Sequence, residues 1–360
     1  MNLQIESNDV WRYLNVEKKN GRPIVIYGMG NGADKIITEL DKRKIKFDDI
    51  MASDDFVRGH SFHGIKVKKL NEIELLHDNP IILIAFGTNR PTVIQNILKI
   101  SEEHEVLVPD VPLYGEEVFD FSFLQRNYKS LESVFNLLSD DYSKKLFKSI
   151  INFKLTGKLD YIINSYNKNF ADLYETFRSD NYKKCIDAGA YNGDTSLQML
   201  KHFKNVENIY SFEPDKHNFK KLSNQESVKS NNIIEPINAA ISSDNIFSSF
   251  NNEKNRNSSL SPGLNNPTVR CVSVDSFFNS VKIDFMKFDV EGSETAALMG
   301  SQKTIKTFKP DMIISLYHRS KDLFEIPELI NSYNPDYYFF IDRPEYIPAW
   351  DVVLICKNYY

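Results

Sequence analysis

The sequence predicts an α/β chain made of two parallel-sheet units with a helical connector between them. Three observations lead there. Short apolar runs end in glycine turns twice, at 28–33 and at 189–193, and a helix-like stretch follows each turn. Strand-like and helix-like stretches alternate over 23–110 and again over 181–360, the pattern of a sheet covered on both faces. Between them strand patterns give way to helical spacing, with Leu131, Val134, Phe135 and Leu138 at i, i+3, i+4 and i+7. The expected division is 1–110, 111–180 and 181–360.

Bulk properties narrow the class. A chain of 360 residues has room for two domains. A net charge of −5 argues against a nucleic-acid partner. Cys185, Cys271 and Cys356 are few, odd in number and set in apolar strands, as expected for buried thiols in a reducing cytoplasm rather than for disulfides or a metal site. No basic segment followed by an apolar core opens the chain, and no apolar run is long enough for a membrane span, so neither a signal peptide nor a span is expected.

In chain order, residues 2–20 suggest a short polar helix, and a strand then ends at Tyr27. Gly28-Met29-Gly30-Asn31-Gly32-Ala33 fits G-x-G-x-x-G/A, between a strand and an amphipathic helix over 35–43. A second strand ends at 51–53, before Asp54, an acid placed where a dinucleotide ribose would want one. A third buried strand starts at Ile81 and meets a glycine turn at Gly87. A helix over 91–100 and a strand over 105–108 follow. Three readings are open for this unit: a nucleotide-sugar site, a scaffold for the rest of the chain, or an NAD(P) site. It carries no acid/base set suited to hydride transfer.

The connector has a helix junction at 139–143 and a second apolar stripe, Leu146, Ile150 and Phe153. It fits an adaptor packed on a sheet edge. Alternatively Tyr161, Tyr166, Phe170 and Tyr174 form a wall on which a sugar stacks. Beyond it, strands are expected near 184–188, 208–212, 233–241, 269–274, 284–289, 311–317, 336–341 and 351–356. Helices are expected over 196–203, 293–308 and 323–331. The last two strands have no helix between them and should form an antiparallel hairpin at the sheet edge. The Asn- and Ser-rich stretch 242–268 reads as a long loop, either closing over a ligand or disordered.

Three motifs carry the chemistry. Asp187-Ala-Gly189-Ala190-Tyr191-Asn192-Gly193-Asp194 ends a strand and opens a helix. Phe212-Glu213-Pro214-Asp215 ends the next strand with an acid, which can accept from both hydroxyls of a ribose. In Lys287-Phe288-Asp289-Val290-Glu291-Gly292-Ser293-Glu294 the strand period puts Lys287, Asp289 and Glu291 on one face. A buried Lys287 needs a carboxylate partner, Asp187 or Asp289.

Together these motifs resemble the FkbM family of S-adenosylmethionine-dependent methyltransferases, over roughly residues 150–360. The resemblance implies a Rossmann-like class I methyltransferase domain, mostly parallel, with a terminal antiparallel hairpin. It implies S-adenosyl-L-methionine held by Asp187, Gly189, Ala190, Tyr191, Gly193, Asp194, Thr195, Glu213, Pro214, Ala240 and Asp289, with 238–241 framing the adenine. Asp289 is the first candidate for general base or acceptor-orienting group, His318 the second, and Lys287 completes the catalytic set. No metal is expected. Arg319, Arg343 and Tyr346 are candidates for acceptor contacts. The first hundred residues resemble the Rossmann-like N-terminal domain of bacterial sugar acyltransferases. The implied activity is O-methylation of a saccharide or nucleotide-linked sugar in surface-glycan or polysaccharide biosynthesis, in the cytoplasm, with a homodimer open. The rival is a nucleotide-sugar or NAD(P)-binding module with a non-catalytic methyltransferase fold.

Overall fold

The computed structural model describes residues 3–57, 59–177, 179–251, 259–260 and 268–359. Near the N-terminus, β1 (Ile24–Tyr27), β2 (Asp49–Met51), β3 (Ile81–Ile84) and β4 (Glu105–Leu107) form a parallel sheet in the order β2-β1-β3-β4. Every residue of β1 and β3 is buried, because helices cover both faces. Helices α1 (Val10–Lys19) and α2 (Asn31–Lys42) share an apolar cluster with Ile24, Ile26, Ile81 and Leu83. Helix α3 (Pro91–Glu103) packs against Val25, Tyr27, Ile82 and Ile84 on the other face. The first helix is shorter than expected: it starts at Val10, where the Asp9 carboxylate accepts from the Arg12 backbone N–H at 2.8 Å. Helix α2 starts inside the glycine turn. At Gly32 a Cβ would lie 2.2 Å from the Ala85 carbonyl oxygen, so glycine there serves close helix–strand packing.

The connector is two helices, α4 (Phe121–Leu137) and α5 (Asp141–Thr156), capped by Asp120 and Asp140. Gly157 ends α5 in the left-handed region at φ 68°. The pair packs on the edge of the second sheet: Ser139 N–H donates to the Phe339 carbonyl at 2.8 Å, and Ile341 N–H to Ser143 Oγ at 3.0 Å.

That sheet has seven strands: β5 (Lys184–Ala188), β6 (Asn208–Phe212), β7 (Ile234–Ile237), β8 (Phe285–Phe288), β9 (Asp311–Ser315), β10 (Tyr338–Asp342) and β11 (Val353–Lys357). Their order is β10-β11-β9-β8-β5-β6-β7, parallel except for β11, which is antiparallel to both its neighbours. The expected terminal hairpin is there. Helix α6 (Asp194–His202) follows β5. The stretch expected as one helix over 293–308 is two, α7 (Glu294–Met299) and α8 (Gln302–Phe308), divided where the Ser242 carbonyl leaves no room for a Cβ on Gly300.

The strand expected at 269–274 is outside this sheet. It spans Thr268–Val272 and pairs with Ala240–Ile241 and Phe247–Asn251 in a small sheet of its own. The large sheet stops at β7, where Pro236 has no N–H for a further neighbour. Of the long loop expected over 242–268, Phe247–Asn251 and Ser259–Leu260 are strands, and 252–258 and 261–267 lie outside the described residues.

One apolar core runs from Val25 and Ile82 through Phe123, Phe147 and Phe153 to Ile186, Phe288 and Phe339. The three cysteines are buried and none of them is in a disulfide. Among the described residues no helix is long and apolar enough to cross a membrane.

Candidate active site

Strands β5 and β8 are register neighbours, with Asp187 opposite Lys287. The strand order reverses there, and an open α/β sheet forms its ligand crevice at such a reversal, beyond the carboxyl ends of the strands. A cavity of about 340 Å³ opens at that place. One side is made by Gly189, Tyr191, Asp194, Thr195, Glu213 and Pro214, with Ala239, Ala240 and Ile241 beside them. Across from them stand Lys287, Asp289, Glu291, Ser315 and Tyr317. Phe170 and Tyr174 arrive from the connector, and Asp351 and Val353 from the start of the reversed strand β11.

The loop after β5 is held close to β8. Gly189 has φ +83°, and a Cβ there would stand 1.9 Å from the Asp289 carbonyl oxygen, so only glycine fits. Beneath the loop lies a buried charge pair. Lys287 Nζ donates to the Gly189 carbonyl at 3.0 Å and lies 3.3 Å from Asp187 Oδ1 and 3.7 Å from Asp289 Oδ2. Asp187 accepts from Ser196 Oγ at 2.6 Å. Burial disfavours the Lys287 ammonium, but Asp187 and then Asp289 outweigh it and hold its pKa above the ordinary value. Burial raises the Asp187 carboxyl against the pull of Lys287. Asp187 is fully buried and braces the loop from below; it does not line the cavity. Ala190 also turns away, into the apolar cluster around Phe203.

Glu213 faces the cavity and is 6% exposed. Its oxygens accept from the Tyr191 N–H at 2.9 Å and the Asp215 N–H at 2.8 Å. Burial pushes its pKa up to about 7 in spite of these two donors. Asn238 spends its amide on the Glu213 and Pro214 carbonyls, at 2.9 and 3.1 Å. It fixes the turn, while Ala239 to Ile241 form the wall.

On the opposite side, Asp289 Oδ1 accepts from Ser315 Oγ at 2.8 Å and Tyr317 OH at 3.4 Å. Burial would raise this carboxyl, but Lys287 and His318 outweigh it and hold it below the usual range. His318 departs from expectation. It is fully buried and absent from the cavity wall, because the strand alternation that aims Ser315 and Tyr317 at the cavity aims His318 behind it. Its Nδ1 is 2.9 Å from Glu294 Oε1; its Nε2 is 3.3 Å from Glu291 Oε2 and 3.6 Å from Asp289 Oδ1. Burial disfavours the imidazolium, but Glu294 and Glu291 hold its pKa well above the ordinary value. These acids favour the imidazolium, and the ring lies behind the cavity wall rather than on it. Asp289, Glu294 and His318 are close enough to hold an ion, yet the two carboxylates approach opposite ring nitrogens, the arrangement by which one imidazolium neutralises two acids.

Residues from outside the motifs complete the site. Tyr114 OH donates to Glu291 Oε2 at 3.0 Å, and Tyr114 N–H to the His318 carbonyl at 3.1 Å. Lys35 of α2 donates to the Pro112 and Leu113 carbonyls, both at 2.7 Å, and so ties the first sheet to this segment. Thr88 and Ile347 form a β-bridge, and a Cβ on Gly87 would lie 2.1 Å from the Trp350 ring, next to Asp351. Chain order gave no sign of these contacts, all of them long-range. Ser315 and Tyr317 lie two positions apart in the strand expected over 311–317, so alternation could have placed the two on one face.

Other candidates lie elsewhere. Arg343 is fully buried and donates to the Ile162 and Ser165 carbonyls at 3.1 and 3.0 Å. Tyr346 stacks near Trp350, and neither it nor Arg319 lines the cavity. Tyr161 bonds Glu6, and Tyr166 lies with Phe170 in an adjoining shallow groove. Asp54 is exposed and pairs with Lys69 at 3.6 Å.

The single reversed strand at one side of the sheet and the glycine-loop crevice at its switch point define a domain of the methyltransferase class. Residues 187–337 match the family model described as Methyltransferase FkbM domain, so the chain carries an FkbM-type methyltransferase domain. Among solved structures, the methyltransferase FkbM from Methylobacillus flagellatus KT superposes with a TM-score of 0.72 over 98% of this chain and 94% of that one, at 21% identity. That likeness shows the fold alone, and it extends over the N-terminal sheet. An rRNA methylase from Streptococcus thermophilus (TM-score 0.37, 12% identity, 53% of this chain and 95% of that one) is far more distant. So is Aeropyrum pernix fibrillarin, solved with S-adenosyl-L-methionine (TM-score 0.35, 12% identity, 53% and 74%). Among curated proteins none matches the sequence.

Proposed function

We propose that this chain is an S-adenosylmethionine-dependent methyltransferase that O-methylates a saccharide or related hydroxylated acceptor. The observation that carries the reading is a single cavity with Glu213 and the glycine loop on one side and Asp289 on the other. The lining suits the cofactor: an acid at the end of the second strand for ribose hydroxyls, small apolar residues at 239–241 for a flat ring, and carboxylates facing a cation. When bound, S-adenosylmethionine supplies an electrophilic methyl group on a sulfonium. Glu213 accepts the ribose hydroxyls. Tyr191, Asp194 and Thr195 border the same end. Asp289, ionised and oriented by Ser315 and Tyr317, takes the proton of the acceptor hydroxyl or orients it for in-line attack. Lys287 fixes Asp289 and the loop. Three buried cysteines outside any disulfide accord with a reducing cytoplasm.

In this reading 1–110 is a scaffold. Its glycine turn is explained by the packing of Gly32 on β3, and the carboxyl end of β3 is engaged by Ile347 and Trp350 of the methyltransferase domain. Calorimetry with S-adenosylhomocysteine, a UDP-sugar and NAD(P) tests the assignment. Binding of the first alone is expected; binding of NAD(P) alone would overturn it. Asp289→Asn should keep cofactor affinity and lower turnover by at least about 10²-fold.

A further inference from the structure

The cavity's charge balance bears on the acceptor, given the methyltransferase reading above. Once Glu213, the glycine loop and 239–241 are assigned to the cofactor, the remaining wall holds Asp289, Glu291 and Asp351 among Phe170, Tyr174 and Tyr317. Among the described residues lining the cavity there is one cation, Lys287. It is committed: its Nζ reaches Asp187, Asp289 and the Gly189 carbonyl. His318 is fully buried behind the wall, between Glu294 and Glu291, and Lys221 lies over the Tyr191 ring on the cofactor side, 5.5 Å from its centroid. Arg343 is enclosed by backbone carbonyls of the connector. Phosphate recognition needs arginine, lysine or a nest of N–H groups turned toward the ligand. This wall turns carboxylates toward it.

We infer that the acceptor is a polyhydroxylated compound without phosphate or carboxylate, and that the site favours one bearing an amine, as an amino sugar does. Nucleotide-linked sugars are excluded by the same wall. Each phosphate would bring like charge against Asp289, Glu291 and Asp351 in a partly desolvated space, where repulsion is much stronger than in water. An ammonium gains from the same field, and the aromatic rings offer faces for a sugar's C–H surface and for a cation.

The test uses the full chain saturated with S-adenosylhomocysteine. Titrating that ligand first by calorimetry establishes the cofactor site independently. Glucosamine, glucose and glucose 6-phosphate are then compared as matched probes by ligand-observed NMR at low salt. Glucosamine should bind at least about tenfold more tightly than glucose, with glucose 6-phosphate weakest. Asp351→Asn and Glu291→Gln, checked for an unchanged melting temperature, should each shrink the preference for the amine. Equal behaviour of glucosamine and glucose, the absence of any amine preference included, overturns the proposal. So does tighter binding of the phosphate, or methylation of a UDP-sugar. Failure to bind S-adenosylhomocysteine would instead overturn the cofactor reading beneath it.

Discussion

Glu213 offers a test that needs no acceptor. Its carboxyl sits at about 7 against an ordinary 4.5, because it is buried. Ribose hydroxyls donate best to the ionised carboxylate, so cofactor binding should lower this pKa and release a proton. If the bound group returns to its ordinary value, linkage predicts about a tenfold loss of affinity from pH 8 to 6 and about seventyfold from pH 8 to 5. The sign follows from the direction of the shift: the empty site holds the proton, so lowering the pH favours the empty site. Folding of the unliganded protein responds in the opposite sense. The folded value lies above the unfolded one, so the empty protein loses stability as the pH rises from the ordinary carboxylate range toward 7. The assay is calorimetry with S-adenosylhomocysteine between pH 5 and 8, in two buffers of different ionisation enthalpy to count protons released. Glu213→Gln keeps the shape but cannot ionise. It should bind more weakly at pH 8 by roughly 1.5–3 kcal/mol and show no pH slope. A flat wild-type affinity between pH 6 and 8, or an equal slope in Glu213→Gln, would refute the ribose assignment.

Other outcomes follow from the same geometry. Lys287→Met strands Asp187 as a buried charge and should cost about 3–5 kcal/mol in urea unfolding; the double variant with Asp187→Asn should recover most of it, and additive losses would mean the two are not a pair. Gly30→Ala has open space around it and should cost only the strain of its positive φ, about 1–3 kcal/mol. Gly189→Ala meets the Asp289 carbonyl and should lose more stability, together with S-adenosylhomocysteine binding; equal losses in the two would contradict the close approach. Gly87→Val should dislodge Trp350. In a Trp11→Phe background, where Trp350 is the sole tryptophan, its emission should shift to the red; unchanged emission would show that Gly87 does not seat the ring.

Much of the catalytic sheet was legible because its signals are local. A glycine turn after one apolar strand put Gly189 at a strand end, the acid and proline closing the next apolar run put Glu213 at another, and the need of a buried lysine for an acid pointed to Asp187 and Asp289 as partners of Lys287. Alternation along 315–318 was legible too and would have turned His318 inward; its favourable pKa as a free residue is what made it look like a base. Distance in sequence hid the rest. Tyr114 stands 177 positions from the Glu291 it bonds, and nothing near either residue announces the contact. The strand Thr268–Val272 has the right pattern for the main sheet, but the pattern cannot say that Pro236 closes that edge.

The uninterrupted core has a consequence for how the molecule can be taken apart. Val25, Phe147 and Phe339 belong to one apolar continuum, so the boundaries between sheets and connector are not seams along which the chain can be cut. Melting should be a single cooperative event followed alike by every probe, with S-adenosylhomocysteine raising the midpoint of the N-terminal sheet as much as that of the domain that binds it. A fragment lacking the first sheet and the connector would expose the backs of Phe339 and Ile341 and should aggregate rather than survive as a smaller enzyme. For engineering, the face of the first sheet that carries Val25, Ile82 and helix α3 packs into the same core as the catalytic sheet, so grafting this site onto another partner should mean replacing that face as well.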